Sequence, residues 1–526
     1  MKKIHRFGLA ALSGLLLFLA WPDSYFVMLI FVAFVPLFFV ADNTDSSKEL
    51  FGYTFITMLI WNAATTWWLW NSTSIGAIAA IIANSLLMCL PWWGYAVCKK
   101  QYNKTISLIA FVLCWLSFEY IHLNWELSWP WLTLGNVFAS HPSYVQWYEY
   151  TGVGGGSFLI LLINILAFKF WGEPLKKAIK KRELLKLFIL LIPFIFTAAF
   201  NATIKSQHKE TISKENIVIV QPNINPYEKF ELSNASQQIN KLIALSESAI
   251  DSNTQMIIWP ETAMSVAEWQ ENITQNIYYQ PIFEFVKKHP TITLISGIET
   301  FKNYGSVKET PTAHNNSSGM YYDAFNAAIA IKSGEPIQLY NKSKLVPGVE
   351  SLPSFLRFMS PVFEQFGGST GGYGKSAESA VFKSSGNKYI TAPIICYESI
   401  YGEYINSYVN KGANILAVIT NDGWWGNTPG HKQHLAYARL RAIETRRWVV
   451  RSANTGISAI INEYGEVKEQ KPWDTTAVIK YAVPIKNELT FYVKYGDYIF
   501  KISLFATIFF ICFHVFMKVK KRLAKQ

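Results

Sequence analysis

The chain has 526 residues, of which 51% are hydrophobic and 16% charged. That length exceeds one ordinary domain, and that balance is one of membrane proteins. The formal net charge of +12 would suit nucleic-acid binding, but the placement of the charges removes that reason to invoke it.

Apolar runs at 7–21, 24–40, 51–70, 75–98, 105–122, 154–171, 185–203 and 499–517 read as eight candidate spans, most of them near the ~20 residues that cross a bilayer. The first two are short, and Pro22 separates them, which suggests a tight helical hairpin. The opening MKKIHRFGLAALSGLLLFLA resembles a secretory signal peptide. No small-x-small cleavage site follows and further spans do, so the first span is expected to be retained. With the N-terminus in the cytoplasm, segments 1–6, 41–50, 99–104, 172–186 and 518–526 carry 3, 1, 3, 6 and 5 Lys and Arg, whereas 22–23, 71–74 and 123–153 carry none. This asymmetry follows the positive-inside rule, so the basic charge reflects topology. Trp61, Trp67, Trp68 and Trp70 fall at the outer end of the third run, as interfacial anchors do. Trp125, Trp129 and Trp131, in the charge-poor outer connection, suit a lip at the membrane surface.

Seven runs precede residue 204, which places 204–498 outside the cytoplasm. The expected domains are a membrane domain of seven helices at 1–203, an extracytoplasmic domain at 204–498, and a last helix with a basic cytoplasmic tail at 499–526. The middle segment has the composition of a soluble domain. NIVIVQ (around 217–221), MIIWPE, TLISGIE, NAAIAIK, APIICYE, ILAVITND, VVRSANTG and AVIKYAV read as short buried strands. Between them, 233–250 has apolar residues at Ile239, Leu242, Ile243 and Leu245 behind a polar opening, and 431–447 reads as a second helix. Strand–helix alternation predicts a layered α/β domain. The glycine-rich loop 363–377 lacks phosphate-binding spacing.

Of five cysteines, Cys89, Cys98, Cys114 and Cys512 lie in or beside the apolar runs, and Cys396 alone lies in the polar half. It has no disulfide partner in its own domain, although cysteines outside the cytoplasm normally pair. A buried, inert cysteine is one reading. A nucleophile is the other, and it needs a base and an oxyanion stabiliser. Glu261 closes MIIWPET and Lys342 follows another apolar run in LYNKSKLVPGVE. A partly desolvated carboxylate at the mouth of a sheet is expected to have a raised pKa and to take a thiol proton. A lysine there can hold a tetrahedral oxyanion. His431 and His434 are three apart on a predicted helix, but no third metal ligand is evident. Trp424 and Trp425, after a strand end, suit acyl contact as well as packing.

The order WPETA, YNKSKLVPGVE, ICYESIYGE resembles the nitrilase, or carbon–nitrogen hydrolase, superfamily with its Glu-Lys-Cys triad. The likeness is closer to its membrane-embedded branch, the apolipoprotein N-acyltransferases, which join a multi-span region to a periplasmic nitrilase-like domain and end in one more helix. VQPNI (220–224), residues 421–459, SWPWLTLGN and TGVGGGSFLI are also similar to that branch. The resemblance implies an eight-span helical region plus an extracytoplasmic αββα sandwich, in the inner membrane of a bacterium. It makes Glu261 the base, Lys342 the oxyanion stabiliser and Cys396 the nucleophile, with Glu350, Tyr397 and Glu398 supporting the site. The family reads His-Leu-Val-Pro-Phe-Gly-Glu where this chain reads KLVPGVE, so Gly348-Val349 alters the turn while Glu350 keeps its spacing. A substrate-facing family tryptophan falls near Phe230. Glu119 fits a family acid, and His122 stands where an arginine often accompanies it; neither is given a role.

The implied reaction moves a fatty acyl chain from a phospholipid, through a Cys396 thioester, to the N-terminal amine of a diacylglyceryl-cysteine apolipoprotein. No cofactor or metal is implied, membrane lipid is the surrounding partner, and a monomer is expected. Tethering such a site at the bilayer suits the substrates, since extracting acyl chains costs about 0.8 kcal/mol per CH₂ exposed. Two other classes fit parts of the sequence. A membrane-tethered nitrilase or amidase shares the triad but leaves the spans unexplained. A non-enzymatic ligand-binding membrane protein, such as a transporter or receptor, fits poorly with spans that hold few ionisable residues.

Overall fold

A computed structural model describes residues 1–21, 24–171, 197, 199–201, 203, 215–359 and 372–523. The chain forms two compact units, one of Met1–Trp67, Ala77–Gln207 and Tyr495–Gln526, the other of Trp68–Gly76 and His208–Lys494. Nothing in the hydropathy suggests that Trp68–Gly76 belongs with the second unit.

The first unit is helical: α1 (Lys3–Ala20), α2 (Val35–Asp42), α3 (Ser47–Thr66), α4 (Ser74–Leu87), α5 (Leu90–Lys99), α6 (Lys104–Leu123) and α7 (Tyr148–Trp171). Ser46 and Asn103 cap α3 and α6, each side-chain oxygen accepting from a backbone N–H of the first turn. Among the described residues, five helices are long and apolar enough to cross a membrane: Lys3–Ala20, Ser74–Lys99, Lys104–Leu123, Tyr148–Trp171 and Tyr498–Lys520. The run 24–40 is not one helix. It is a 3₁₀ turn, Val27–Phe31, followed by α2. Asn164 of α7 fills the break, its Oδ1 accepting from Phe34 N at 2.8 Å and its Nδ2 donating to Ile30 O at 2.8 Å. The run 51–70 becomes α3 and a 3₁₀ turn at Trp67–Asn71. It is less apolar than the five because it buries Thr54, Thr57, Asn62, Thr65 and Thr66. Thr57 satisfies its hydroxyl on Ala10 O of α1 at 2.8 Å. Beside it Gly14 lets the two backbones meet, since a Cβ there would lie 2.7 Å from Thr57 O. The run 185–203 lies almost entirely outside the described residues. Glu119 and His122 tie α6 to neighbouring segments: Glu119 Oε1 accepts from Trp115 Nε1 at 3.0 Å and Leu134 N at 2.8 Å, and His122 Nε2 lies 2.8 Å from Asn84 Oδ1.

All eight stretches read as strands are strands. They are β1 (Asn216–Gln221), β2 (Thr254–Ile258), β4 (Thr293–Gly305), β6 (Tyr321–Ile331), β8 (Thr391–Ile395), β9 (Ile415–Thr420), β10 (Trp448–Ala453) and β13 (Ala477–Ala482). The structure adds β3 (Met264–Trp269), β5 (His314–Asn315), β7 (Gln338–Asn341), β11 (Ala459–Ile461) and β12 (Val467–Gln470), which are short or half-polar. One sheet runs β13-β1-β2-β4-β6-β5, with β3 beside β4 and β7 beside β6; the second runs β12-β11-β10-β9-β8. Alternation along each strand builds the layers. Ile217, Ile219, Met256, Ile258 and Ile295 face a core shared with Ile394, Leu416, Val418 and Val450 of the second sheet. Val218, Val220, Ile257 and Leu294, the residues between them, face α8 (Ala235–Glu247) and α9 (Gln280–Lys288). Helices α10 (Gly402–Asn410) and α11 (Pro429–Thr445) pack on the second sheet.

Gly297 of β4 is forced by the close passage of the segment after β2. A Cβ there would lie 2.2 Å from Thr262 N and 2.6 Å from Glu261 Cα. These are backbone atoms, so Gly297→Ala is expected to lower the unfolding free energy by about 1–3 kcal/mol, the usual cost of overpacking. Urea unfolding of the full chain in detergent measures this, and an unchanged midpoint would show that the two segments separate at no cost.

Candidate active site

Three chain turns leave sheet edges and converge. Glu261 follows β2 after Trp259-Pro260, Lys342 directly follows β7, and Cys396 directly follows β8. All three are buried, with Lys342 only 1% exposed. Lys342 Nζ donates to Glu350 Oε1 at 2.8 Å and to Glu261 Oε1 at 3.2 Å. Asn326 of β6 bridges the same two acids, its Nδ2 donating to Glu261 Oε1 at 2.8 Å and Glu350 Oε1 at 2.9 Å. Backbone amides hold the outer oxygens: Asn421 N donates to Glu261 Oε2 at 3.0 Å and Val346 N to Glu350 Oε2 at 2.8 Å. The altered turn accommodates Glu350. Gly348 takes φ 88°, a left-handed value that favours glycine, and its N–H donates to Ser351 O at 2.9 Å.

The electrostatics correct one expectation. Burial does push the Glu261 carboxyl up, but the Lys342 charge, the Asn326 amide and Lys229 outweigh it and hold it below the usual carboxylate range. Glu261 is therefore an anion at neutral pH and not the raised acid expected from desolvation alone. Burial lowers the Lys342 ammonium, and Glu350 and Glu261 more than reverse this, holding it well above an ordinary lysine. Burial and the Glu261 charge push the Cys396 thiol up, against a smaller pull from Lys342. The thiol thus keeps its proton at rest, beside a carboxylate that can accept it.

Cys396 itself sits at φ 49°, a strained backbone for a residue with a Cβ. Its carbonyl accepts from Ser399 Oγ at 2.8 Å and lies 3.1 Å from His434 Nε2. His434 Nδ1 in turn lies 2.9 Å from Asp422 Oδ1, and Arg451 donates to Asp422 Oδ2 at 2.6 Å. Burial and Arg451 lower the His434 pKa, so the ring is neutral near pH 7. His431 instead stacks on Trp473 with ring centroids 4.4 Å apart. The two histidines thus serve separate contacts.

Glu398 is fully buried and knots two of the turns together. It accepts from Ile395 N at 2.9 Å, Ser343 N at 2.7 Å and Tyr340 Oη at 2.6 Å, so the residues flanking Cys396 and Lys342 share one carboxylate. Burial raises its pKa. Tyr397 is buried against Tyr401 with centroids 5.3 Å apart. Phe230 is 44% exposed, on the segment between β1 and α8. On that segment Tyr227 meets Trp424 edge-on at 5.4 Å. Trp425 packs between Trp68 at 4.8 Å and His434 at 5.5 Å. Asn326, Asp422, Arg451 and Lys229 were missed in the sequence reading. A polar residue inside an apolar strand, as Asn326 is in NAAIAI, was the one signal available.

Residues 217–487 match the carbon-nitrogen hydrolase family model, and residues 13–166 match the model of the apolipoprotein N-acyltransferase N-terminal domain. An apolipoprotein N-acyltransferase of Chlorobaculum tepidum is 30% identical over 93% of both chains. Enzymes of the same name from Geobacter metallireducens and Borreliella burgdorferi are 26% and 27% identical, covering 93% and 94% of this chain and 91% and 93% of theirs. With both halves matched and a 30% identical relative aligned nearly end to end, the chain belongs to the apolipoprotein N-acyltransferases, in the nitrilase superfamily.

Proposed function

We propose that this protein is a membrane-bound N-acyltransferase that moves a fatty acyl chain from a phospholipid to the N-terminal amine of diacylglyceryl-cysteine in apolipoproteins. The observation that carries the reading is the convergence of Glu261, Lys342 and Cys396, from three separate turns, into one buried cluster. The names of the relatives support the acceptor class.

In the first half-reaction Cys396 Sγ attacks the ester carbonyl while its proton passes to Glu261. The carbonyl oxygen becomes an oxyanion facing Lys342. Collapse breaks the ester C–O bond, and the lysophospholipid oxygen leaves with the proton held by Glu261. The acyl group is now a thioester. In the second half the acceptor amine attacks the thioester carbonyl and gives a proton to Glu261. The amide C–N bond forms, the C–S bond breaks, and the thiolate recovers the proton. Glu350 and Asn326 keep Lys342 and Glu261 apart from solvent and in register, and Glu398 and Tyr397 support the turn at Cys396. Phe230, Trp424 and Trp425 offer aromatic surface to an acyl chain. No cofactor or metal takes part, and the unit working at the membrane is a monomer.

The same reading puts both termini in the cytoplasm of a bacterial inner membrane and residues 204–498 in the periplasm, with eight spans. The absence of Lys and Arg from 22–23, 71–74 and 123–153 supports it. A membrane-impermeant protease or thiol probe should reach 204–498 only from the face opposite the termini; access from the cytoplasmic face would refute the orientation.

Intact mass after incubation with phospholipid tests the chemistry. The wild-type chain is expected to gain one acyl group on Cys396, and Cys396→Ala none. Lys342→Ala should slow adduct formation about 10²–10³-fold, the usual loss of one oxyanion donor. Glu261→Gln keeps the shape of the side chain and one acceptor oxygen but cannot take the proton, so its adduct should also form slowly. Near-normal loading in any of these variants would remove that residue from its role, and loading from a small soluble amide instead of phospholipid would favour an amidase.

A further inference from the structure

Lys229 is a second buried ammonium beside the site, and the reaction as written does not use it. It lies between β1 and α8, next to Phe230, and is 1% exposed. Its Nζ donates to Glu261 O at 2.7 Å and to Thr262 Oγ1 at 2.7 Å. Thr262 takes φ 47°, a left-handed conformation that a β-branched residue rarely adopts. The contacts close a ring. Lys229 O accepts from Gln238 Nε2 at 3.1 Å, and Gln238 Oε1 accepts from Ser265 Oγ, just past the same turn, at 3.3 Å. The turn is held on its other side by Gly297, whose N–H donates to Pro260 O at 3.0 Å. The charged groups facing Lys229 are the carboxylates of Glu261 and Glu299, and Tyr373 Oη donates to Glu299 Oε1 at 2.8 Å.

We propose that Lys229 is a positioning residue of the acyl-transfer centre: it clamps the strained turn that aims Glu261, and its charge sets how strongly Glu261 holds a proton. This rests on Glu261 being the base. Burial pushes the Lys229 ammonium down to about 7, against the opposing pull of Glu261 and Glu299. The group is therefore charged below about pH 7 and neutral above it. A neutral amine still donates both hydrogen bonds, so the clamp persists at high pH. What disappears is one of the charges that stabilise the Glu261 anion, and Glu261 then accepts the thiol proton more readily.

The test uses the full chain in detergent, with two readouts across pH 5.5–9: Cys396 alkylation by iodoacetamide and acyl loading from phospholipid. In the wild type both rates are expected to climb through an inflection near pH 7. Lys229→Arg keeps the donors and a permanent charge, so loading should persist with the inflection gone. Lys229→Met keeps the stem but loses the donors, so kcat for loading should fall about 10²-fold, the scale of a small misplacement of a reacting group, with KM for phospholipid unchanged. An inflection retained in Lys229→Arg, a full kcat in Lys229→Met, or a change in KM alone would overturn the proposal. A wild type that is alkylated with the expected profile but never acylated would count against phospholipid as donor and leave the clamp standing.

Discussion

The fold is organised around an ammonium that water does not reach. Lys342 is 1% exposed, and an isolated charge so placed would cost several kcal/mol in lost solvation. It exists there because Glu261 and Glu350 face it and because Asn326 spaces those two acids. Removing any partner would leave a buried charge uncompensated. The partners come from β2, β6, the turn after β7 and the loop after β9, so the cluster can form only if both sheets are stacked and in register. The sandwich core and the site are therefore one cooperative object.

The same constraint explains why backbone strain collects here. Cys396, Thr262 and Asn223 all adopt positive φ without being glycine. Each is over-determined by neighbours: Cys396 by Ser399 and His434, Thr262 by Lys229, and Asn223 by an N–H bond to Asn454 O. Strain of about 1–3 kcal/mol per residue survives only where surrounding structure imposes it. At Thr262 the strained turn directly follows Glu261, and at Cys396 it carries the thiol itself. Glu398 then ties the turn at Cys396 to the turn at Lys342.

The helical unit follows the same economy with different parts. Its interior polar groups, such as Asn164 filling the break between Phe31 and Val35 and Thr57 bonding across to α1, replace water that a membrane interior would not supply. This is why neither of the runs at 24–40 and 51–70 forms a single uninterrupted α-helix. The first is apolar enough but broken, because a side chain from α7 can satisfy its backbone. The second buries hydroxyls that bond back to its own helix, as Thr57 does to Tyr53 O and Thr66 to Asn62 O.

By itself the sequence determined eight of the strands, the alternation that gives two faces to β1, β2 and β4, two helices of the second unit, and the motifs around Glu261, Lys342 and Cys396. These are local properties: period-two burial, caps and short contiguous words. Only the tertiary structure decided that Glu261 is a depressed rather than a raised acid, that His434 serves the Cys396 carbonyl, and that Asn326 and Lys229 belong to the site. The reason is separation along the chain. Glu261 meets Asn326 across 65 residues, Lys342 across 81 and Asn421 across 160. The sign of a pKa shift is the difference between burial and those distant charges, which no short stretch of sequence contains.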